Sequence, residues 1–215
     1  MAEGDPRATL LPLGDQSLLV KFADSLSEAA NRAAIGLARR LERERPDGVA
    51  EIVPGLVSVL LRTTPGVDLA RLRGELMLAV GGEADLPPPA ARTVAITFDG
   101  EDLPEVAERL GIAPDEFVAH HNATSLRVLA TGFAPGFVYC GFHPDDLVVP
   151  RREALRPMVP AGTILFAAGQ TAIAATPIRT GWHVIGRTAF QNFDPAAIPP
   201  TTLRPGDDIR FTVAR

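Results

Sequence analysis

From Leu126 to the C-terminus the chain is a succession of short apolar runs, each stopped within a few residues by glycine or proline: "LRVLATGF", "FVYCGF", "LVVP", "TILFAAG", "TAIAATP", "WHVIGRT" and "DDIRFTV". That cadence predicts an all-β barrel or sandwich. Ahead of it, "TVAITF" alternates like a strand, Asp102 and Glu105 frame a helix start, and Pro114 suits the first turn of the short helix "PDEFVAHH".

The first part of the chain has another rhythm. "TLLPLGDQSLLVKFAD" places two apolar runs about a Gly14-Asp15 turn and reads as a hairpin. Ser25 and Glu28 have capping-box spacing, and Ala30, Ala34, Leu37, Ala38 and Leu41 then recur at helical steps until Pro46 and Gly48. Two further runs flank Pro54-Gly55, and Leu69, Leu72, Leu76, Ala79 and Val80 mark a second amphipathic helix. The order ββαββα predicts a small α+β sandwich over residues 1–86. In "GGEADLPPPAAR" three consecutive prolines continue neither helix nor ladder, so residues 87–91 read as a linker and 92–215 as the barrel.

Charge and rare residues exclude several functions. The formal net charge is -5 with no block of like sign, which argues against a nucleic-acid or anionic-membrane surface. No apolar run approaches the roughly 18 residues of a membrane helix and no basic-then-apolar leader opens the chain, so a cytoplasmic protein with protein and small-molecule partners is expected. The single cysteine, Cys140, excludes an internal disulfide or a cysteine-based zinc cluster and reads as a buried small hydrophobe. His143 and His183 lack a carboxylate or second histidine at ligand spacing, so no metal is expected. Lys21 is the sole lysine and follows a strand-like run. There is no phosphate loop, no G-x-S-x-G elbow, no H-E-x-x-H and no Ser-Lys centre. Where ATP or a serine nucleophile is involved, another chain supplies it.

Three segments combine glycine with polar or aromatic residues inside apolar patterns: "GFAPGFVYCGF" (132–142), "VPAGTILFAAGQTAIAATP" (159–177) and "GWHVIGRT" (181–188). They read either as barrel corners and packing or as the walls of a pocket. Gln170 and Thr171, an amide and a hydroxyl between "FAAG" and "AIAA", suit recognition of an amide or lactam. His121 lies at i+4 from Phe117 and i+3 from Val118, on the inward face of its helix, as a core histidine or a general acid or base of near-neutral pKa. Trp182 reads as packing at the barrel or its rim. Arg151, Arg152 and Arg187 read as solvated or interfacial, each with the alternative of holding a carboxylate or phosphate.

"GFAPGFVYCGF", "VPRREALRPMVPAGTILFAAGQTAI", "GWHVIGRTAFQNFDP" and "LRPGDDIRF" together resemble the family that holds allophanate hydrolase subunit 1, the B subunit of 5-oxoprolinase and Kip-type histidine-kinase inhibitors. The resemblance runs over nearly the whole chain, including "GDQSLLVKF" and "EIVPGLVSVLL". It implies an N-terminal α+β domain, a C-terminal cyclophilin-like β-barrel, and pairing with a larger carboxyltransferase-like partner, similar to allophanate hydrolase subunit 2 or the C subunit of 5-oxoprolinase. It also implies ATP-dependent opening of a lactam to glutamate, with a protein similar to the 5-oxoprolinase A subunit contributing and ATP bound by the assembled complex. By position it assigns His121 as catalytic, and Gly132, Phe133, Pro135, Gly136, Phe137, Pro160, Gly162, Gln170, Thr171, Trp182 and Arg187 as substrate-binding. The sequence departs from the family pattern at "GFVYCGF", "AGQTAIAATP" and "IRTGW". With no lysine-based amidase centre, 5-oxoprolinase is favoured over an allophanate hydrolase, while regulation of a histidine kinase is the reading from another class.

Overall fold

The computed structural model describes residues 8–80 and 89–214, and the chain divides into two units, Met1–Pro88 and Pro89–Arg215. Pro87 and Pro88 of the expected linker lie outside the described residues, and Ala91, its last residue, instead opens a strand.

In the first unit, strands β1 (Thr9–Pro12), β2 (Ser17–Lys21), β3 (Val49–Pro54) and β4 (Ser58–Thr63) form an antiparallel sheet in the order β1-β2-β4-β3. Helices α1 (Glu28–Arg43) and α2 (Leu69–Ala79) follow the two hairpins. Alternation puts Leu18, Val20, Val59 and Leu61 on one face, where Ala34, Leu37 and Leu41 of α1 and Leu72 and Leu76 of α2 pack against them. Helix α1 begins two residues later than the capping-box spacing implies. Ser27, in an extended conformation, accepts from the Ala30 N–H at 3.2 Å, which leaves Glu28 in the first turn as a favourable charge at the positive end of the helix dipole.

The second unit contains β5 (Ala91–Ile96), α3 (Leu103–Leu110), α4 (Pro114–His121), β6 (Leu126–Thr131), β7 (Val138–Gly141), β8 (Arg156–Val159), β9 (Thr163–Ala167), β10 (Gln170–Ile173), β11 (Ile178–Thr180), β12 (His183–Arg187) and β13 (Asp208–Val213). Seven strands run β12-β9-β10-β7-β6-β13-β5, antiparallel except for β5 on β13. The two edges then meet: Thr97 and Arg187 exchange backbone hydrogen bonds of 2.9 and 3.0 Å, closing the curled sheet into a barrel. Gly186 is required at this seam, since a Cβ there would sit 2.4 Å from the Thr97 carbonyl oxygen.

Inside, Val128, Cys140, Ile164, Phe166, Ile173 and Phe211 form a core that Val106 of α3 and Phe117 of α4 also enter. Cys140 is buried there, its thiol pushed well above the ordinary range by loss of solvent. The barrel's outer face carries a second cluster, Phe137, Leu165, Ala172, Ala174 and Trp182, joined by Val159 of β8 and Ile178 of β11, a separate two-stranded sheet. "LVVP" is not a strand. Leu147 and Val149 are apolar because they enter the barrel core, and the segment is tied down by single backbone contacts such as Ala168 N–H to Val149 O at 2.7 Å. Strand β8 is formed instead by "RPMV", whose exposed middle residues give it no apolar run to announce it.

Candidate active site on two faces of one strand

Gln170 and Thr171 do not form one recognition pair. Neighbours in a strand point to opposite faces, and β10 sends Thr171 and Ile173 inward, Gln170 and Ala172 outward. Each residue therefore belongs to a different chemical setting.

On the inner face the Thr171 hydroxyl lies 2.8 Å from His121 Nε2 and 2.8 Å from His143 Nε2. His121 Nδ1 lies 2.8 Å from Asn122 Oδ1, an acceptor, so this nitrogen carries the proton and donates it. Nε2 of a neutral His121 is then bare and accepts from the Thr171 O–H. The Thr171 oxygen in turn accepts from His143 Nε2–H, which leaves His143 Nδ1 bare, buried and without a partner. One proton direction satisfies the chain: His143 to Thr171 to His121 to Asn122.

Both imidazoles must be neutral for this arrangement, and burial ensures it. Loss of solvent lowers His121 from 6.5 to about 4. The same cause, aided by the neighbouring His121, lowers His143 to about 3. The rings lie 4.8 Å apart, and Phe98, Phe117, Phe166 and Phe211 contact His121. The near-neutral pKa expected of His121 is therefore corrected. Beside Asn122, outside the relay, a cleft of about 660 Å³ opens between α4 and β13, lined by Phe98, Val118, Arg210 and Phe211.

The outer face holds most of the remaining candidates. Phe133, Phe137, Tyr139 and Trp182 form a chain of edge-to-face rings, with centroids 5.5, 4.8 and 5.9 Å apart in that order. Phe133 has φ 75° and is 74% exposed, so the loop holds a large ring towards solvent at a backbone conformation that disfavours it. The loop's own needs consume some N–H groups that could otherwise face a substrate: Gly132 donates to Phe137 O and Phe137 to Ala134 O, each at 3.0 Å. Gly136 is held by Asn192 Nδ2 donating to its carbonyl at 2.9 Å, and a Cβ there would meet Phe193 at 2.4 Å. Pro135 is exposed on the same loop. Gln170 is 8% exposed and its Oε1 has no partner. An amide oxygen buried without a hydrogen bond costs about 1–3 kcal/mol, a cost that a bound donor would remove.

Other candidates support the scaffold. Pro160 O accepts from the Thr163 hydroxyl at 2.7 Å, a Cβ on Gly162 would lie 2.6 Å from Thr188 O, and Arg187 pairs with Asp99 at 2.7 Å. Asp102, expected as a helix cap, makes no cap bond. Its carboxylate takes Arg152 Nη1 at 2.6 Å, the Arg156 guanidinium and the Val184 N–H at 2.7 Å. Asp102, Glu105 and His183 have ligand atoms within 4.8 Å of one another, but Arg152, 3.5 Å from Glu105, already supplies positive charge there. This cluster is an ion-pair network that ties the start of α3 to the segment leading into β8.

Residues 8–203 match the family described as carboxyltransferase domain, subdomain C and D. The 5-oxoprolinase B subunit of Escherichia coli O157:H7 is 32% identical over 212 residues, covering 95% of each chain. The crystal structure of TTHA0988 superposes with a TM-score of 0.81 at 36% identity over 93% of this chain, which spans 40% of that longer polypeptide. The urea amidolyase of K. lactis shares the fold, with a TM-score of 0.77 at 14% identity over all of this chain and 15% of its own. A closed barrel with a buried two-histidine relay, following an α+β sandwich, is thus a carboxyltransferase-type C and D module. The chain belongs to the family of the 5-oxoprolinase B subunit and allophanate hydrolase subunit 1.

Proposed function

We propose that this chain is a non-autonomous component of an ATP-dependent 5-oxoprolinase, opening the lactam of 5-oxoproline to glutamate with release of ADP and phosphate. The observation that carries this reading is the 32% identity to a 5-oxoprolinase B subunit along 95% of both chains. The sequence has no phosphate loop, so ATP is bound by the assembled complex, whose other members are a carboxyltransferase-like C subunit and a protein similar to the A subunit. The length of TTHA0988, of which this fold is 40%, supports such a partnership. We place this work in the cytoplasm; among the described residues no helix is long and apolar enough to cross a membrane.

In this reading the outer face is the substrate side. Gln170 Oε1 accepts the lactam N–H, and the 132–137 loop with its aromatic rings excludes water from the reacting carbonyl. Phosphoryl transfer from ATP to the lactam oxygen makes the ring carbon electrophilic. Water adds there, the C–N bond breaks as nitrogen takes a proton, and a second water releases phosphate. His121 acts at one remove: with His143 it locks Thr171, and so fixes the strand that presents Gln170. It is a positioning residue.

The test is reconstitution. Purified with its C-type and A-type partners, the chain is expected to support glutamate and ADP release from 5-oxoproline, and alone to support neither. Full turnover by the isolated chain, or an assembly that releases no glutamate, would overturn the reading.

A further inference from the structure

Three arginines lie between β7 and the end of β8, and they do not share a fate. Arg152 and Arg156 are both committed to Asp102. Arg151 has no hydrogen-bond or carboxylate partner among the described residues. Its guanidinium carbon instead sits over the Trp182 ring, 5.6 Å from the centroid. A guanidinium held over an indole face can keep its N–H groups available, and arginine takes a carboxylate in two parallel hydrogen bonds.

The neighbours of this cation are those of the outer face. Trp182 touches Tyr139, and Tyr139 lies opposite Ala172 in the β7–β10 ladder. Gln170, two residues back on the same face, is a diagonal neighbour of Tyr139, about 7–8 Å away by ladder geometry. Tyr139 is near enough to Arg151 for the cation to offset part of the upward push that burial gives its phenol. An exposed, unpaired cation and a buried amide oxygen without a partner thus lie on the same face of the sheet as one aromatic cluster, which also holds the small residues Ala167, Ala172 and Ala174.

We infer that Arg151 binds the carboxylate of the substrate, so that this face selects small cyclic amides carrying an acid group beside the ring nitrogen. The inference rests on the lactam reading above. Arg151 sets the acid end and Gln170 the amide end, while Trp182 keeps the guanidinium oriented.

The experiment uses the assembled enzyme with two probes, 5-oxoproline and 2-pyrrolidinone, the same ring without the carboxylate. Arg151→Gln is expected to raise KM for 5-oxoproline about tenfold or more, the loss of one charge-assisted pair, with KM for ATP and the melting temperature unchanged. Its kcat/KM for 2-pyrrolidinone should match wild type, so the preference for the acid collapses. Arg151→Lys should recover only part of it, because an ammonium cannot make the two-pronged contact. Wild-type activity with an unchanged preference in Arg151→Gln would overturn the role of Arg151 alone. A wild-type assembly inactive on 5-oxoproline would overturn the lactam reading together with it.

Discussion

Strand β10 has two faces with opposite chemistry. Inward, Thr171 completes a relay in which each donor finds an acceptor and only His143 Nδ1 is left over, within a shell of phenylalanines. Outward, Gln170 is nearly as buried, yet its oxygen has no protein partner, and nearby Arg151 has no counter-ion among the described residues. Each face keeps one buried polar atom without a partner, His143 Nδ1 inside and Gln170 Oε1 outside, but only the outer one has an unpaired cation on its own face. In the proposed reading this difference separates scaffold from site within two consecutive residues.

The widest break between the faces should come with acid. His121 and His143 are lowered to about 4 and about 3 from 6.5, so the unfolded chain binds more protons than the folded one below about pH 6.5. Stability is therefore expected to be flat above about pH 7 and to fall through the window from about 6.5 to 3, by an amount on the order of several kcal/mol. Urea midpoints measured across this range check it. A stability that rises on acidification would show that the histidines are not held neutral.

Next in size is the ion-pair network that ties the start of α3 to the segment leading into β8. Asp102→Ala leaves Arg152 only Glu105 and Arg156 only Glu101 and removes the acceptor of the Val184 N–H, and should cost about 3 kcal/mol, the low end for a broken buried ion pair. Denaturant unfolding measures the loss, and a change under about 1 kcal/mol would place the pair with exposed bridges instead. Smaller again is Thr171→Val, which keeps the shape but leaves His121 Nε2 without a donor and His143 Nε2–H without an acceptor. It should cost about 1–3 kcal/mol and, by loosening the strand that presents Gln170, raise KM for 5-oxoproline in the folded assembly by only a few-fold, less than removal of Gln170 itself.

What the sequence makes legible depends on the distance over which each residue finds its partners. Helix α1 can be read because its apolar stripe is local, and the barrel because its glycine and proline stops are local. Asp102 has the look of a cap because its arginine partners lie 50 and 54 residues away. Nothing near His143 in sequence resembles a ligand set or a relay. The β6–β7 hairpin and the turn after it bring it back to His121, which the sequence places 22 residues earlier. The separation of Gln170 from Thr171 follows from alternation alone, but β10 is buried on both faces and so carries no polar-apolar pattern to display it. No local signal tells Arg151 from Arg152.

The smallest of these effects on folding is the most direct test of the division between faces. Gln170→Ala removes an amide whose oxygen the protein does not use, so the melting temperature should hold while KM for 5-oxoproline in the assembled enzyme rises roughly tenfold, the worth of one buried hydrogen bond. A melting temperature that collapses while activity per folded molecule stays at the wild-type level would make Gln170 part of the scaffold and contradict the account.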